Sequence, residues 1–367
     1  MKILYLIDTL SLGGAQTVLK GVFENQKENH DIFLYALRKT EITVNIEHPN
    51  VFVDNSVGRY SVAPFFRLKK LLKRNKIEVL HCQLPRSHVF GYFLKKYFFN
   101  KLKLIIHEQG DIFENFPLHA HFLRKTAGFT SMFITCSEAT KDELVSKTGV
   151  SDDKVITVYN FFDEKRFNPE NIAELRRSTA ESLKENENSF VFGFAGRLIE
   201  RKGWREFVLS ASEFINDKKV KLLIAGAGDE EQELMKMIDV SGLAEKVLFL
   251  GYYPDIMKFY SMIDCLVVPS HWEPMGITEI EAMALKIPVI ASDVIGLNEV
   301  VKHNVNGVLF KAKDTASLVN AMKTILLQKE LRYRISETAF NTIEKFTYSA
   351  FQQKLDEIYK NLYHLNK

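Results

Sequence analysis

Residues Val267 to Ser292 read VVPSHWEPMGITEIEAMALKIPVIAS. The apolar opening predicts a short buried strand, Glu273-Pro274-Met275-Gly276 a loop, the stretch from about Ile277 a helix, and the run after Pro288 a second strand. Glu273 and Glu281 are eight positions apart, so one carboxylate falls in the loop and the other one to two turns inside the helix. Pro274 and Gly276 bend the backbone so that the amides of Met275, Gly276 and Ile277 can converge at the helix N-terminus, where the dipole favours anions. Carboxylates accept hydrogen bonds from hydroxyls, so two of them beside such an anion hole suit a ligand both phosphorylated and rich in hydroxyls, such as a nucleotide sugar. An acid in the first turn of a helix is ordinarily a solvated dipole partner, and Glu279 is expected to be one.

With 367 residues the chain exceeds what one hydrophobic core usually supports, and about two domains are expected. The 46% hydrophobic content is that of a soluble globular protein, and no apolar run reaches the roughly 18 residues of a spanning helix. Met1 to Asp8 reads as a first buried strand of a cytoplasmic protein, with no small-residue cleavage site after it. Cys82, Cys136 and Cys265 are odd in number and far apart, which favours reduced thiols, and no Cys or His spacing suggests a metal. A net charge of +3 is too small to imply nucleic acid. The charge is uneven, however: twelve basic residues stand between Arg59 and Lys103 against Glu78 alone, interleaved with Phe65, Phe66, Tyr92, Phe93, Tyr97, Phe98 and Phe99. Segment 59–103 is either a solvated helix face with its aromatics in the core or a surface for docking, peripherally, on an anionic membrane.

Working outward, apolar runs alternate with helical stretches in both halves. In the first half strands are expected at Ile3–Ile7, Ile32–Ala36, Val79–Cys82, Leu104–His107, Met132–Cys136 and Val155–Val158. In the second they are expected at Phe190–Ala195, Lys221–Ala225, Val247–Leu250, Cys265–Val268 and Val289–Ala291. Such alternation argues for parallel sheets covered on both faces, with ligands at the carboxyl ends of the strands. Gly13-Gly14 follows the first strand and would let backbone amides approach a phosphate, but the dinucleotide fingerprint G-x-G-x-x-G is missing. His107 ends an apolar strand, where it would project into a cleft with an acid/base or hydrogen-bonding role; His81 ends the strand before it. Residues 160–189 read as the linker zone. Ala195-Gly196-Arg197 with Lys202 places a guanidinium and an ammonium beside a strand end, suited to a diphosphate or to surface salt bridges. Tyr253, in Gly251-Tyr252-Tyr253-Pro254, could meet a nucleobase through its backbone, and a helix from about Tyr348 to Leu365 could reach back to the first half.

Together GGAQ, VYNFFDEKRFNP, FAGRLIERKG, LLIAGAGDEEQEL and PSHWEPMGITEIEAMALKIPVIASD resemble, in this order and over nearly the whole chain, the retaining glycosyltransferases of family 4. The resemblance implies an α/β GT-B fold of two facing Rossmann-like domains with an interdomain cleft: residues 1–165 for the acceptor, 166–347 for the nucleotide sugar, and a C-terminal helix, 348–367, returning to the first domain. It implies that Arg197 and Lys202, next to Gly196, bind the donor diphosphate, and that Glu281 binds the ribose. Glu273 with the amides of Met275, Gly276 and Ile277 would take the transferred sugar and phosphate. Gly14, after Gly13, would approach the diphosphate from the other domain, and His107 would lie near donor sugar and acceptor. The implied activity is transfer from a nucleoside diphosphate sugar, UDP-linked, to a hydroxyl of a glycan or lipid-linked acceptor in cell-surface polysaccharide or glycoconjugate synthesis, with no metal and no cofactor. A nucleotide-sugar epimerase or hydrolase of the same fold, or a non-catalytic sugar-nucleotide-binding module recruited to a membrane, would share these residues. The chain departs from the family at Phe161 and Lys286, where glycine is common, at Gln16 for a common Glu, and at Met275 for a common Phe.

Overall fold

The computed structural model describes residues 1–26, 29–40, 43–56, 58, 61–110, 117–182, 189–214, 216–217 and 219–364. Arg59, residues 183–188 of the linker zone and Leu365 lie outside them. The chain divides into two compact units, Met1–Asn160 with Tyr348–Lys367, and Phe161–Thr347.

The first unit is built on β1 (Lys2–Thr9), β2 (Asp31–Arg38), β3 (Val51–Val53), β4 (Val79–Gln83), β5 (Lys103–Glu108), β6 (Met132–Thr135) and β7 (Val155–Thr157). They form one sheet in the order β3-β2-β1-β4-β5-β6-β7, every pairing parallel. Ile3, Leu4, Leu6 and Ile7 are buried to the last atom on alternate faces of β1, which is why this strand reads as a continuous apolar run rather than an alternation. Helix Glu138–Thr148 starts where Ser137 Oγ accepts the Thr140 amide at 3.1 Å. Helix Tyr348–His364 lays Phe351, Leu355, Ile358, Tyr359 and Leu362, one helical face, into this unit. Its Tyr359 hydroxyl stands 2.9 Å from that of Tyr5 on β1.

The second unit repeats the plan with β8 (Phe190–Ala195), β9 (Val220–Ala225), β10 (Val247–Phe249), β11 (Cys265–Val268), β12 (Val289–Ser292) and β13 (Val308–Phe310), in the order β10-β9-β8-β11-β12-β13. Its pairings are parallel too. Phe192, Leu222, Ile224, Val267 and Ile290 meet Trp204, Phe207, Leu318 and Met322 of the flanking helices in one core. The edge strands β3 and β13 were not among the expected strands.

One expectation changes, and one departure from the family finds its backbone reason. The expected linker zone is packed at its start: Phe161, Phe162 and Phe167 are buried, and the Phe162 amide donates to the Phe346 carbonyl at 3.0 Å. Phe167 packs edge-on against Tyr260, and the second unit begins at Phe161. Lys286 takes the left-handed conformation, φ 56°, just past helix Thr278–Ala284, while the Ile287 amide reaches back to the Ala282 carbonyl at 2.9 Å. This is the helix stop that glycine usually makes. Here the lysine is held by Glu337, 2.8 Å from Nζ, and by the face of Phe340.

Candidate active site

In the second unit the chain runs from β8 outward through β9 and β10, then returns to lay β11 on the other side of β8. The point between β8 and β11 is a topological switch point, where open parallel sheets leave a crevice at the strand ends. Arg197 and Lys202 follow β8, and Glu273 and Glu281 follow β11. Gly203, at φ 67°, lets the two loops close on one another: a Cβ there would stand 1.9 Å from the Pro269 carbonyl oxygen. The His271 amide donates to the Arg201 carbonyl at 2.8 Å, and the Arg201 guanidinium lies over the Trp272 ring. So joined, the loops bring Lys202 Nζ to 2.5 Å from Glu273 Oε2, which also accepts from Ser270 Oγ at 3.3 Å. Arg197 is exposed. Protein atoms still crowd its guanidinium enough to hold its pKa below the ordinary value, as does the Arg201 charge, while Glu273 and Asp229 pull the other way.

Helix Thr278–Ala284 carries two buried acids. Tyr260 donates to Glu281 Oε2 at 2.8 Å, and burial raises this carboxyl to about 7 although Tyr260 and the Arg166 charge oppose the rise. Glu279 corrects the expectation of a solvated acid: it is fully buried. Its carboxylate presses on the backbone of Gly276, where a Cβ would lie 2.0 Å from Oε2. No group among the described residues reaches either oxygen in hydrogen-bonding geometry. Burial, reinforced by the neighbouring Glu273 carboxylate, lifts Glu279 to about 8, while the Lys202 charge works against the rise. The loop expected to cradle an anion therefore has a carboxyl group at its edge that is mostly neutral at pH 7, and a neutral acid tolerates a nearby phosphate. Met275 and Gly276 are buried and Ile277 is half-buried. Gly196 turns out of β8, its amide donating to the Ala225 carbonyl at 3.0 Å. Tyr253 is half-buried just beyond Gly251, whose carbonyl accepts the Gly226 amide at 2.8 Å.

The first unit has its own switch point, between β1 and β4. Gly13 and Gly14 open helix Gly14–Glu24 after β1. Asp8, near the end of β1, accepts the amides of Arg86 and Ser87 at 3.1 and 2.7 Å and so ties down the start of helix Pro85–Tyr97. Burial outweighs those bonds and raises its carboxyl to about 6.

His107 does not project freely from β5. It is fully buried, and burial pushes its pKa down to about 3, so the ring is neutral and is no acid at neutral pH. His107 Nδ1 is 3.1 Å from His81 Nε2, His81 Nδ1 is 2.8 Å from the Tyr359 hydroxyl, and Tyr359 meets Tyr5. With the Gln109 amide donating to His107 Nε2 across 3.2 Å, each proton along this row finds one acceptor. Tyr359, near the far end of the sequence, packs on His81 and through it reaches His107.

Sequence reasoning missed the partners: Ser270 for Glu273, and Tyr260 and Arg166 for Glu281. Ser270 stands three residues before Glu273 in the same loop, whereas Tyr260 and Arg166 reach Glu281 from segments that no spacing connects to it. It also missed a buried cluster in the first unit, where His88 Nδ1, Glu108 Oε1 and His119 Nε2 converge from three elements. Cys82, Cys136 and Cys265 are buried and no disulfide joins them. Among the described residues no helix is long and apolar enough to cross a membrane.

Family models match both halves of the chain. The family model Glycosyltransferase Family 4 matches residues 12–166, and Glycosyl transferases group 1 matches residues 176–342. An uncharacterised glycosyltransferase of Methanocaldococcus jannaschii is 27% identical over 95% of this chain and 94% of its own length. The N-acetyl-alpha-D-glucosaminyl L-malate synthase of Bacillus anthracis is 22% identical over 95% and 94%. The crystal structure of Anabaena HepE in complex with UDP and glucose superposes with a TM-score of 0.82 at 23% identity, covering 98% of this chain and 100% of that one.

Proposed function

This chain belongs to the glycosyltransferases of the family 4 type, with the GT-B fold, and on that premise we propose that it moves a sugar from UDP to a hydroxyl of a glycan or lipid-linked acceptor with retention of configuration. The observation that carries the reading is the switch point between β8 and β11, where Lys202 is paired with Glu273, Arg197 stands within reach of the Glu273 charge, and Glu281 follows on the next helix. Two cations at a strand end match a diphosphate, and two carboxylates match sugar and ribose hydroxyls. The HepE structure, which holds UDP and glucose, supports the choice of donor.

In the reaction the bond between the sugar's anomeric carbon and the diphosphate oxygen breaks, and the acceptor oxygen bonds to the same face of that carbon. The acceptor's proton passes to the departing phosphate. Negative charge grows on the diphosphate as it leaves, and Arg197, Lys202 and the amides of Met275, Gly276 and Ile277 stabilise it, so the transfer uses no metal ion. Glu281 holds the ribose, Gly196 and Tyr253 border the nucleotide, and Glu273 orients the sugar while Lys202 fixes its carboxylate. The neutral His107, fully buried with both ring nitrogens engaged, has no hydrogen bond left for donor sugar or acceptor.

The first unit would also rest on an anionic membrane surface, where a lipid-linked acceptor lies. Helix Ala63–Asn75 exposes Phe66, helix Pro85–Tyr97 exposes Phe93 and Tyr97, and Phe98 follows, among Lys69, Lys70, Lys73, Arg74, Lys95 and Lys96. Lys69 Nζ lies 3.5 Å over the Phe98 ring. Exposed rings framed by cations suit the boundary between headgroups and acyl chains.

The test is ligand-dependent unfolding together with turnover. UDP at a hundred times its dissociation constant stabilises the protein by about 2.7 kcal/mol. Arg197→Ala removes charge-assisted hydrogen bonds worth about 1.5–3 kcal/mol, so UDP affinity falls roughly ten- to hundredfold, and sugar transfer falls at least as far. Near-normal turnover in a folded Arg197→Ala protein, or no stabilisation of the wild type by UDP, refutes the assignment.

A further inference from the structure

His88 lies on helix Pro85–Tyr97, Glu108 is the last residue of β5, and His119 lies on helix Pro117–Thr126. All three are buried. His88 Nδ1 is 3.2 Å from His119 Nε2 and 3.5 Å from Glu108 Oε1, and His119 Nε2 is 3.3 Å from the same oxygen. Three ligand-type atoms thus form a nearly equilateral triangle. Two ring N–H groups could both donate to Glu108 Oε1, but across 3.5 and 3.3 Å, long for hydrogen bonds to a carboxylate. One cation at the centre satisfies all three atoms at once.

We propose that His88, Glu108 and His119 bind a divalent metal ion of the Zn²⁺ class. Two imidazoles and one carboxylate are a known ligand set for Zn²⁺, and bonds of about 2.1 Å in a tetrahedron set ligand atoms about 3.4 Å apart. The three separations here, 3.2, 3.3 and 3.5 Å, bracket that value. The fourth position goes to a water molecule. The surroundings favour a cation, because the Asp8 charge is felt at His119 and the Glu143 charge at Glu108. The second atoms of two ligands, His88 Nε2 and Glu108 Oε2, are buried without hydrogen-bond partners among the described residues. A metal on Oε1 removes part of that cost by drawing charge from the carboxylate. The ion's role is structural: it joins two helices to the end of β5, directly after His107. Its ligands all belong to the first unit, so the site stands or falls independently of the donor reading.

The experiment is titration of the tag-free, EDTA-stripped full chain with Co²⁺ and then Zn²⁺. Wild-type protein is expected to take up one equivalent with a submicromolar dissociation constant, give the visible absorption of four-coordinate Co²⁺, and unfold at higher temperature with Zn²⁺ bound. Glu108→Gln and His119→Ala, each checked by circular dichroism, are expected to lose affinity by roughly a hundredfold or more, since outer partners of metal ligands alone cost ten- to a hundredfold. His121→Ala, on the exposed side of the same helix, is expected to bind as the wild type does. Absence of one-to-one binding in the wild type overturns the proposal, whether or not the variants fold. So does undiminished binding in the two ligand variants.

Discussion

Replacing Glu279 with glutamine keeps the size of a fully buried side chain and removes its ionisation. In the folded protein this carboxyl sits near 8 rather than its ordinary 4.5, chiefly because it is buried and secondarily because Glu273 is beside it. The folded state therefore holds the proton more tightly than the unfolded chain. The stability this contributes is complete below about pH 4.5 and is lost as pH rises through about 8. Each pH unit inside the window is worth about 1.4 kcal/mol. Between pH 5 and pH 8 the wild type is expected to lose about 3.5 kcal/mol relative to Glu279→Gln, most of the cost being already present at pH 7. Glu281 titrates near 7 in both proteins and cancels from the difference. The assay is urea unfolding followed by tryptophan fluorescence at pH 5, 6.5 and 8. Trp204 and Trp272 are the two tryptophans of the chain, and both belong to the second unit, so the signal follows the domain that carries Glu279. A stability difference between the two proteins that stays constant within about 1 kcal/mol across this range refutes the linkage reasoning.

Gly203→Ala forces a methyl group to 1.9 Å from the Pro269 carbonyl oxygen at a left-handed φ, and should cost about 3 kcal/mol or more in the same urea titration; an unchanged midpoint would show that the two loops do not depend on that approach. Neutralising Lys69, Lys70, Lys73 and Arg74 together should weaken binding to phosphatidylserine vesicles by several hundredfold, at about 1 kcal/mol per near-surface cation. Equal sedimentation with vesicles before and after removes the membrane reading and leaves the transferase assignment in place.

Much of the fold was written locally. The runs from Ile3, Leu104, Phe190 and Val289 are strands because a strand covered on both faces must be apolar at consecutive positions. The eight-residue spacing of Glu273 and Glu281 placed one acid in the loop and one in the helix because helix geometry is a property of the backbone. Lys286 marked its own helix stop by standing where glycine is common, and its φ of 56° is the conformation such a stop requires. What local pattern does not encode is which remote element covers a polar side chain. Glu279 looks like any first-turn acid until the Gly276 loop folds over it. His107 reads as a free strand-end histidine until Tyr359 closes over His81 and draws both rings into one hydrogen-bonded row. The convergence of His88, Glu108 and His119 has no signature in spacing at all, because two helices and a strand supply one atom each. Periodicity fixes where backbone goes and which face is apolar. The protonation state and partners of a buried polar group depend on contacts between segments far apart in sequence, and those exist only once the chain has packed.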